Sequence, residues 1–425
     1  MTTPPRAVVL ITGSELLRGD LRDANGAFLA AELTRIGVEP GQIVVVGDRP
    51  EALAAAVRIG LEADICVISG GLGPTHDDRT VEILAEATGR RLTVDEDLAR
   101  EIEGFSRGVA ERLGRPYADF AAGVRKQAAL PAGAVSLGLA GTAPAVLLEH
   151  DGRVAVALPG PPNELRRLWP RALEHRAFRE LAARARPRSH RLVRLFGPSE
   201  SAVARALAEA GGEARGVEAT VCAHDLEIRV DLFADRGAEK GAAALEDALR
   251  ERFGEELFAV DDDREVAELV LDLCRERGLK LATAESCTGG LVGARITAVP
   301  GSSDVYLGGA VAYANEVKTA WLGVPQEVLT RHGAVSAETA KAMAAGARRR
   351  LGSDIGLADT GIAGPGGGTA DKPVGLVFLH AESPDGDSAA KLQLPGDREA
   401  VRTRATAAAL HLLRRQLTQS RDPRV

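Results

Sequence analysis

The run LATAESCTGG, residues 281–290, contains the residue types that nucleophilic catalysis needs. A strand-like apolar stretch ends in Ser286, Cys287 and Thr288, and two glycines precede the helically spaced run LVGARITAV. A strand–turn–helix of this kind presents a side chain beside the free N–H groups of a helix N-terminus, where an oxyanion can be stabilised. The same residues also suit an ordinary turn and helix cap. This run alone therefore leaves a nucleophile and a plain turn equally open.

Two downstream segments favour the catalytic interpretation. The segment PGSSDVYLGGAVAYANEVK contributes a strand-borne tyrosine that we expect to be buried, together with other polar side chains: Ser303, Tyr313, Asn315 and Lys318. The segment LADTGIAGPGGGTADKPVG places Thr360 at the end of an apolar strand and adds six glycines between Gly361 and Gly375. So much glycine around one position indicates that backbone approaches a ligand closely.

Length and composition are typical of a soluble globular protein. At about 150 residues per domain, 425 residues allow about three domains, and 45% hydrophobic and 27% charged residues supply ordinary cores. The net charge of -7 argues against a nucleic-acid partner, and no apolar run is long enough to span a membrane. The four cysteines lack CxxC spacing, which predicts neither a zinc site nor a disulfide framework. We therefore expect a cytoplasmic protein.

The first part of the chain, residues 1–170, alternates strands with helices. This rhythm predicts a mostly parallel sheet with ligands at the carboxyl ends of its strands. Two strand ends carry the turns TGSE and GGLGPTHDD, and a third, LPGPP, follows a hairpin at Asp151 and Gly152. Three such ends predict one shared pocket. Its expected ligand-binding residues are Gly13, Glu15, Gly70, Gly71, Gly73 and Thr75, with Asp77 and Asp78 holding a divalent cation. A glycine turn with an aspartate N-cap is the alternative for the second end.

Taken together, these motifs resemble the CinA family, competence/damage-inducible protein A. The segments GSELLRGDLRDANGAFLAAELTRIG, SGGLGPTHDDRTVE, GTAP and LPGPPNEL are similar to its molybdopterin-binding, MoaB/MogA-like front domain. The segments ESCTGG, PGSS, YAN and TGIAGPGGGTADKPVG are similar to its C-terminal nicotinamide-nucleotide amidase domain, PncC. The resemblance implies an α/β protein with three parts: a three-layer MoaB/MogA-like domain over 1–170, a small α+β KH-like domain over 171–258, and the α/β CinA C-terminal domain over 259–425.

The middle part has no GxxG loop, which a KH domain uses to clamp RNA. With the acidic net charge, this favours a spacer or dimerisation element over a nucleic-acid-binding module. The family resemblance implies a homodimer.

For the C-terminal domain, the resemblance implies hydrolysis of the carboxamide of nicotinamide mononucleotide, which gives nicotinate mononucleotide and ammonia in pyridine-nucleotide salvage without a cofactor. Amide hydrolysis needs a nucleophile, a base and oxyanion donors. The histidines of this domain lie outside glycine-rich turns, whereas a buried neutral lysine can activate a serine. We therefore expect Ser286 as the nucleophile, Lys318 as the base and Tyr313 as a proton relay, with Cys287 as the rival nucleophile.

Other expected roles follow the PncC pattern or are assigned by position. The pattern points to Ser303 and Thr360 as supporting hydroxyls. Backbone N–H groups of Thr288, Gly289 and Gly290 are expected to form the oxyanion hole. Further substrate contacts are expected from Asn315, Gly361, Gly364, Gly366, Arg398 and Arg402, with the phosphate at the glycines or the two arginines.

The front domain carries a second expectation. The resemblance implies a metal-dependent ADP-ribose pyrophosphatase, although the chain has no complete Nudix box. A divalent cation would neutralise the phosphates and orient water. The alternative is a non-catalytic nucleotide- or pterin-binding protein linked to competence or the DNA-damage response.

Overall fold

The computed structural model describes residues 4–212 and 216–419, and the chain divides into two compact units between Arg188 and Ser189. Both units combine strands and helices, as the sequence predicts. In the described ranges, every helix is too short or too polar to cross a membrane.

The first unit is built on a six-stranded sheet with the order β2-β1-β3-β8-β7-β6. Its strands are β1 (Arg6–Thr12), β2 (Glu39–Val46), β3 (Ile65–Ser69), β6 (Val135–Leu139), β7 (Pro144–His150) and β8 (Arg153–Leu158). The first four strands in that order pair in parallel, and β7 and β6 are antiparallel. The short strands β4 (Leu92–Val94) and β5 (Ala129–Pro131) pair separately. The predicted hairpin turn is confirmed, because Asp151 and Gly152 connect β7 to β8.

Helices cover both faces of this sheet. They are α1 (Ser14–Arg18), α2 (Asn25–Arg35), α3 (Pro50–Gly60), α4 (Thr80–Ala87), α5 (Glu96–Leu113), α6 (Ala118–Gln127), α7 (Pro162–Glu174) and α8 (Arg176–Ala182). Alternate residues of β1 enter two separate cores: Leu10 packs with α3, α4 and α5, and Val9 packs with α2, α7 and α8. The predicted three-layer architecture is therefore present.

The first predicted domain boundary, at residue 170, lies inside α7. Trp169 and Phe178 are buried together in the core of the first unit and make an edge-to-face contact, with ring centroids 5.6 Å apart. Residues 171–188 therefore belong to the first unit, because the apolar faces of α7 and α8 are buried against its sheet.

The second unit begins with a small α+β domain. Its elements are β9 (Ser189–Phe196), α9 (Glu200–Glu209), β10 (Val217–His224), β11 (Glu227–Ala234), α10 (Glu239–Phe253), a 3₁₀ turn (Gly254–Glu256) and β12 (Leu257–Val260). The sheet is antiparallel with the order β10-β11-β9-β12. This βαββαβ arrangement is that of a ferredoxin-like split βαβ unit, which differs from the KH-like topology that the resemblance implies. Because β12 ends at Val260, the domain extends slightly past the predicted boundary at residue 258.

The remainder of the second unit has a five-stranded sheet with the order β14-β13-β15-β16-β17. Its strands are β13 (Leu281–Glu285), β14 (Tyr306–Val311), β15 (Ile355–Gly361), β16 (Leu376–Ser383) and β17 (Gly386–Gln393). Its helices are α11 (Val266–Arg277), α12 (Leu291–Thr297), a 3₁₀ turn (Ser302–Asp304), α13 (Asn315–Leu322), α14 (Gln326–His332), α15 (Ala337–Leu351) and α16 (Arg398–Gln419). The strands β14, β13 and β15 run parallel, so their carboxyl ends meet at one edge.

The long helix α16 is fixed to the small α+β domain through His411. The imidazole is fully buried, stacks on Phe196 with ring centroids 3.9 Å apart, and places Nε2 3.0 Å from a Glu227 carboxylate oxygen. Arg414 donates from Nε to His411 Nδ1 at 3.3 Å. Because Nδ1 must accept, the ring is neutral with its proton on Nε2. Burial lowers the pKa of His411 to about 4.

Acidification is expected to weaken the second unit through this histidine. The pKa of His411 is lower in the folded state than in the unfolded chain, where it is about 6.5. Between pH 6.5 and about 4, His411 is therefore protonated in the unfolded chain but neutral in the folded one. Protonation stabilises the unfolded chain, so the free energy of unfolding falls as the pH falls through this range. We expect the free energy of unfolding to fall by about 2 kcal/mol between pH 7 and pH 5 from this group. Urea unfolding of the parent and of His411→Gln measures the effect, and an equal decline in both would contradict it.

Candidate active site

The predicted strand, turn and helix around Ser286 are confirmed. The strand β13 is buried throughout and ends at Glu285, and α12 begins at Leu291. Between them, Gly289 and Gly290 have φ values of 64° and 100°, which side-chain-bearing residues adopt only with strain. The two glycines therefore let the chain turn sharply and leave Ser286 at the carboxyl end of the sheet.

Two buried carboxyl groups hold this turn. Glu285 accepts hydrogen bonds from the backbone N–H groups of Gly290, Val292 and Gly293, at 2.8, 3.0 and 2.8 Å. Asp359, at the end of the neighbouring strand β15, accepts from the Thr288 N–H at 3.0 Å. Sequence reasoning missed both carboxylates.

These contacts correct the expected oxyanion hole. The N–H groups of Thr288 and Gly290 already donate to carboxylates, so they are not available to a developing oxyanion. Within the described ranges, the Gly289 N–H is the one of the three that donates to no protein acceptor. Of the three N–H groups predicted to form the oxyanion hole, only that of Gly289 therefore remains available.

Lys318 meets the predicted nucleophile. The side chain lies on the inner face of α13, is 1% exposed, and places Nζ 3.1 Å from Ser286 Oγ. The carbonyl oxygens of Ala312 and Tyr313 lie 2.8 and 3.0 Å from the same nitrogen. A neutral amine has two hydrogens and one lone pair. In this form Nζ donates to the two carbonyls and accepts the Ser286 proton, whereas an ammonium would donate to all three oxygens.

Burial favours the same neutral form. Removal from water lowers the pKa of Lys318, while the carboxylates of Asp359 and Glu316 act in the opposite direction. Cys287, the rival nucleophile, is also buried, and desolvation raises the pKa of its thiol to about 12. A thiol that stays protonated is a poor nucleophile. The chemistry of the turn therefore favours Ser286.

The structure contradicts the expectation for Tyr313. Its side chain is 62% exposed, and it lies two residues beyond the end of β14. Its hydroxyl accepts a hydrogen bond from Arg398 at 2.8 Å, and only its backbone carbonyl contacts Lys318. The sequence suggested burial because the tyrosine continues an apolar run, but the strand ends before it. The Tyr313 hydroxyl makes no described hydrogen bond with Lys318, so it cannot pass a proton to Lys318 directly in this arrangement.

Two arginines at the start of α16 border the same turn. Arg398 donates to the Gly364 carbonyl at 2.9 Å as well as to Tyr313. Arg402 donates to the Thr288 carbonyl at 2.7 Å. Both positive charges lower the pKa of Cys287, although burial outweighs them. The arrangement therefore brings two cations to the border of the turn, where a phosphate could be held.

The other predicted residues of this domain do not contact the Ser286 or Lys318 side chains among the described hydrogen bonds. Thr360 is buried, but its hydroxyl donates to the Ala334 carbonyl at 2.7 Å. Ser303 and Asn315 are exposed, and among the described contacts neither side chain bonds to Ser286 or Lys318. A Cβ on Gly361 would lie 2.7 Å from Val377, so strand packing requires glycine at this position. Gly366 is exposed with open space around it.

The first unit contains the predicted shared pocket. A cavity of about 310 Å³ lies at the ends of β1, β3 and β8 and is lined by all the predicted residues except Thr75. Five acidic side chains face it: Glu15, Asp48, Asp77, Asp78 and Glu164. Thr75 instead contacts both predicted metal ligands, Asp77 and Asp78, through its hydroxyl. The helix α4 begins at Thr80, so neither aspartate is its N-cap.

Comparison with known proteins assigns a family model to each end of the chain. Residues 263–417 match the CinA C-terminal domain, and residues 8–177 match a probable molybdopterin binding domain. A CinA-like protein of Mycolicibacterium paratuberculosis is 41% identical over 438 residues, which covers 99% of this chain and 100% of that protein. The chain belongs to the CinA family. A CinA-like protein of Mycolicibacterium vanbaalenii is 42% identical, covering 97% of this chain and 99% of its own.

A solved structure also matches this CinA-family chain over part of its length. The competence/damage inducible protein CihA from Agrobacterium tumefaciens is 42% identical and covers 35% of this chain and 93% of its own, with a TM-score of 0.34.

The front pocket of this CinA-family chain suits a hydrated cation better than a fully protein-bound one. Among the described residues, no three His, Cys, Asp or Glu side chains are grouped closely enough to enclose a metal. Asp77 is exposed and Asp78 half-buried, so the two could provide carboxylate oxygens while water and a ligand complete the shell. Mg²⁺ is commonly bound in this way, by one or two carboxylates with substrate phosphates.

Proposed function

We propose that the C-terminal domain hydrolyses the carboxamide of nicotinamide mononucleotide to nicotinate mononucleotide and ammonia. The observation that carries the proposal is the contact of 3.1 Å between Ser286 Oγ and a buried Lys318 Nζ whose other two neighbours are acceptors. Membership of the CinA family supports the substrate class, and the nearby arginines suit the 5′-phosphate.

The reaction follows the serine–lysine pattern. Ser286 gives its proton to Lys318 Nζ while Oγ bonds to the amide carbon, and the carbonyl oxygen becomes an oxyanion beside the Gly289 N–H. The tetrahedral intermediate then collapses, the C–N bond breaks, and Lys318 returns the proton to the departing ammonia. Water, deprotonated by Lys318, hydrolyses the resulting ester and regenerates Ser286.

Ammonia release from nicotinamide mononucleotide by the purified chain tests the proposal. We expect turnover in the presence of a chelator, because no step uses a metal. Free nicotinamide, which lacks the ribose phosphate, is the matched control substrate and should react far more slowly. Absence of ammonia from the nucleotide would reject the amidase.

We also propose that the front pocket hydrolyses ADP-ribose at its pyrophosphate. A specific observation favours a cation-dependent reaction: five carboxylates line the cavity, so an anionic substrate is repelled unless a cation neutralises the site. A divalent cation supplies that charge and polarises the phosphoryl group. Asp77 and Asp78 would hold it, and the backbone of Gly70 and Gly71 would approach the phosphates.

Hydrolysis of ADP-ribose is expected to require added Mg²⁺ or Mn²⁺ and to fall at least about 10-fold in Asp77→Asn, because a carboxylate ligand is lost. The exposed Asp119→Asn on α6 makes the same charge change and should leave the rate unchanged. The measurement is AMP formation, with the melting temperature of the variant as a folding control. Tight, cation-dependent ADP-ribose binding without product would instead favour the non-catalytic binding protein.

A further inference from the structure

The Thr288 hydroxyl lies between the two buried carboxyl groups that hold the catalytic turn. Its oxygen is 2.7 Å from Glu285 Oε2 and 2.6 Å from Asp359 Oδ2. Thr288 is fully buried, and the two acidic residues are 2% and 1% exposed. Bulk water therefore cannot reach these three side chains to supply a missing hydrogen-bond donor.

This arrangement contains too few protons if both acids are ionised. A hydroxyl has one hydrogen, so it can donate to one carboxylate only. The second carboxylate oxygen would then face the hydroxyl oxygen without a proton between them, which is repulsive in a buried site. One of the two acids must therefore carry a proton and donate it to Thr288 Oγ1.

The neighbouring donors decide which acid it is. Glu285 accepts three backbone N–H groups in addition to the hydroxyl, and such donors favour a carboxylate. Asp359 accepts the Thr288 N–H on Oδ1 and is also stabilised as a carboxylate by the Ser286 N–H, so it has two backbone donors against three for Glu285. The proton therefore belongs on Asp359 Oδ2. The chain of donors runs from Asp359 to the Thr288 hydroxyl and from that hydroxyl to Glu285.

We propose that Asp359 is a positioning residue whose neutral, protonated carboxyl holds the turn without placing a negative charge beside Lys318. The role rests on the proposed amidase, in which Lys318 must be uncharged to accept the Ser286 proton. An ionised Asp359 would favour the ammonium form of Lys318 and so remove the base.

The electrostatics of the site agree with this assignment. Burial raises the pKa of Asp359 to about 6, and the charge of Glu285 acts in the same direction. Both effects favour the protonated form, and the proton that the Thr288 contacts require at neutral pH implies a still larger shift. Other charged or titratable groups of the described residues lie near Asp359, Glu285 and Lys318. They are Cys287 beside Asp359, Tyr306 beside Glu285, Glu316 beside Lys318, and the two arginines of α16 beside Cys287. Burial is the main influence on the pKa of Lys318, and a negative charge on Asp359 opposes it, so protonation of Asp359 favours the neutral base.

Asp359→Asn tests the proposal, because asparagine reproduces the protonated acid. Its Oδ1 accepts the Thr288 N–H, and its Nδ2 donates to the Thr288 hydroxyl. We expect kcat/KM to stay within about 10-fold of the parent and the acid limb of the pH profile to keep its midpoint. A midpoint that moves down by about one pH unit or more would show that the parent carries an ionised Asp359, and would overturn the proposal.

Glu285→Gln is the matched counterpart. It places an amide donor among backbone N–H groups that need an acceptor, so we expect a larger loss of kcat/KM and of thermal stability than in Asp359→Asn. Equal losses in the two variants would contradict the assignment of the proton.

Infrared spectroscopy makes the test independent of turnover. A protonated buried carboxyl gives a C=O stretch distinct from that of a carboxylate, and we expect such a band in the parent at neutral pH and not in Asp359→Asn. Its absence from the parent would overturn the proposal even if the amidase is active. Its presence in a chain that releases no ammonia would reject the amidase while leaving the proton on Asp359.

Discussion

Replacement of Ser286 by alanine is expected to lower kcat/KM for nicotinamide mononucleotide by at least about 1,000-fold. The hydroxyl is the nucleophile, and the methyl group that replaces it can neither attack the amide nor share a proton with Lys318. The turn itself should survive, because Glu285 and Asp359 hold it through backbone N–H groups and the Thr288 hydroxyl rather than through the serine side chain. The measurement is steady-state ammonia release, with the melting temperature as the folding check.

Cys287→Ser is the matched control for this prediction. The thiol is buried and protonated, so its replacement by a hydroxyl should change kcat/KM by less than about 10-fold, through packing alone. Strong activity in Ser286→Ala together with its loss in Cys287→Ser would transfer the nucleophile to the thiol.

The secondary structure around the site could be predicted because several local signals agree. An apolar run, two adjacent glycines and a helically spaced segment each favour the same strand, turn and helix. The pairing of Ser286 with Lys318 needed more than local pattern. The two residues lie on different elements, and they meet because β13 and β14 are parallel and end at the same edge of the sheet.

The carboxylates that hold the turn could not be predicted in the same way. Glu285 continues a buried strand, and Asp359 lies in another one, so periodicity predicts apolar residues at both positions. Their function depends on unpaired N–H groups created by the turn, which a sequence does not display. Tyr313 shows the opposite error: an apolar neighbourhood suggested burial, but its side chain lies outside the strand and is exposed.

The first domain boundary was misplaced for a related reason. The helix α7 is strongly amphipathic, but its sequence does not show which sheet its apolar face will cover. The burial of Trp169 and Phe178 in the first core decides this.

Replacement of Lys318 by methionine is expected to be almost as damaging as loss of the nucleophile, with a decrease in kcat/KM of about 1,000-fold. Methionine fills a similar volume, but its thioether is only a weak acceptor and cannot take the Ser286 proton. The carbonyls of Ala312 and Tyr313 lose their donor, so some stability is lost as well. Ammonia release and the melting temperature, measured together, separate the two effects.

Lys318→Arg distinguishes a base from a structural cation. Arginine keeps the positive charge and can donate to the same carbonyls, but it does not deprotonate in proteins. If Lys318 serves only to hold the turn, the arginine variant should retain activity, and this result would contradict the mechanism. If Lys318 is the base, both variants are inactive. The parent's kcat/KM should also rise with pH through a pKa below the usual lysine range, because burial favours the neutral amine that the reaction needs.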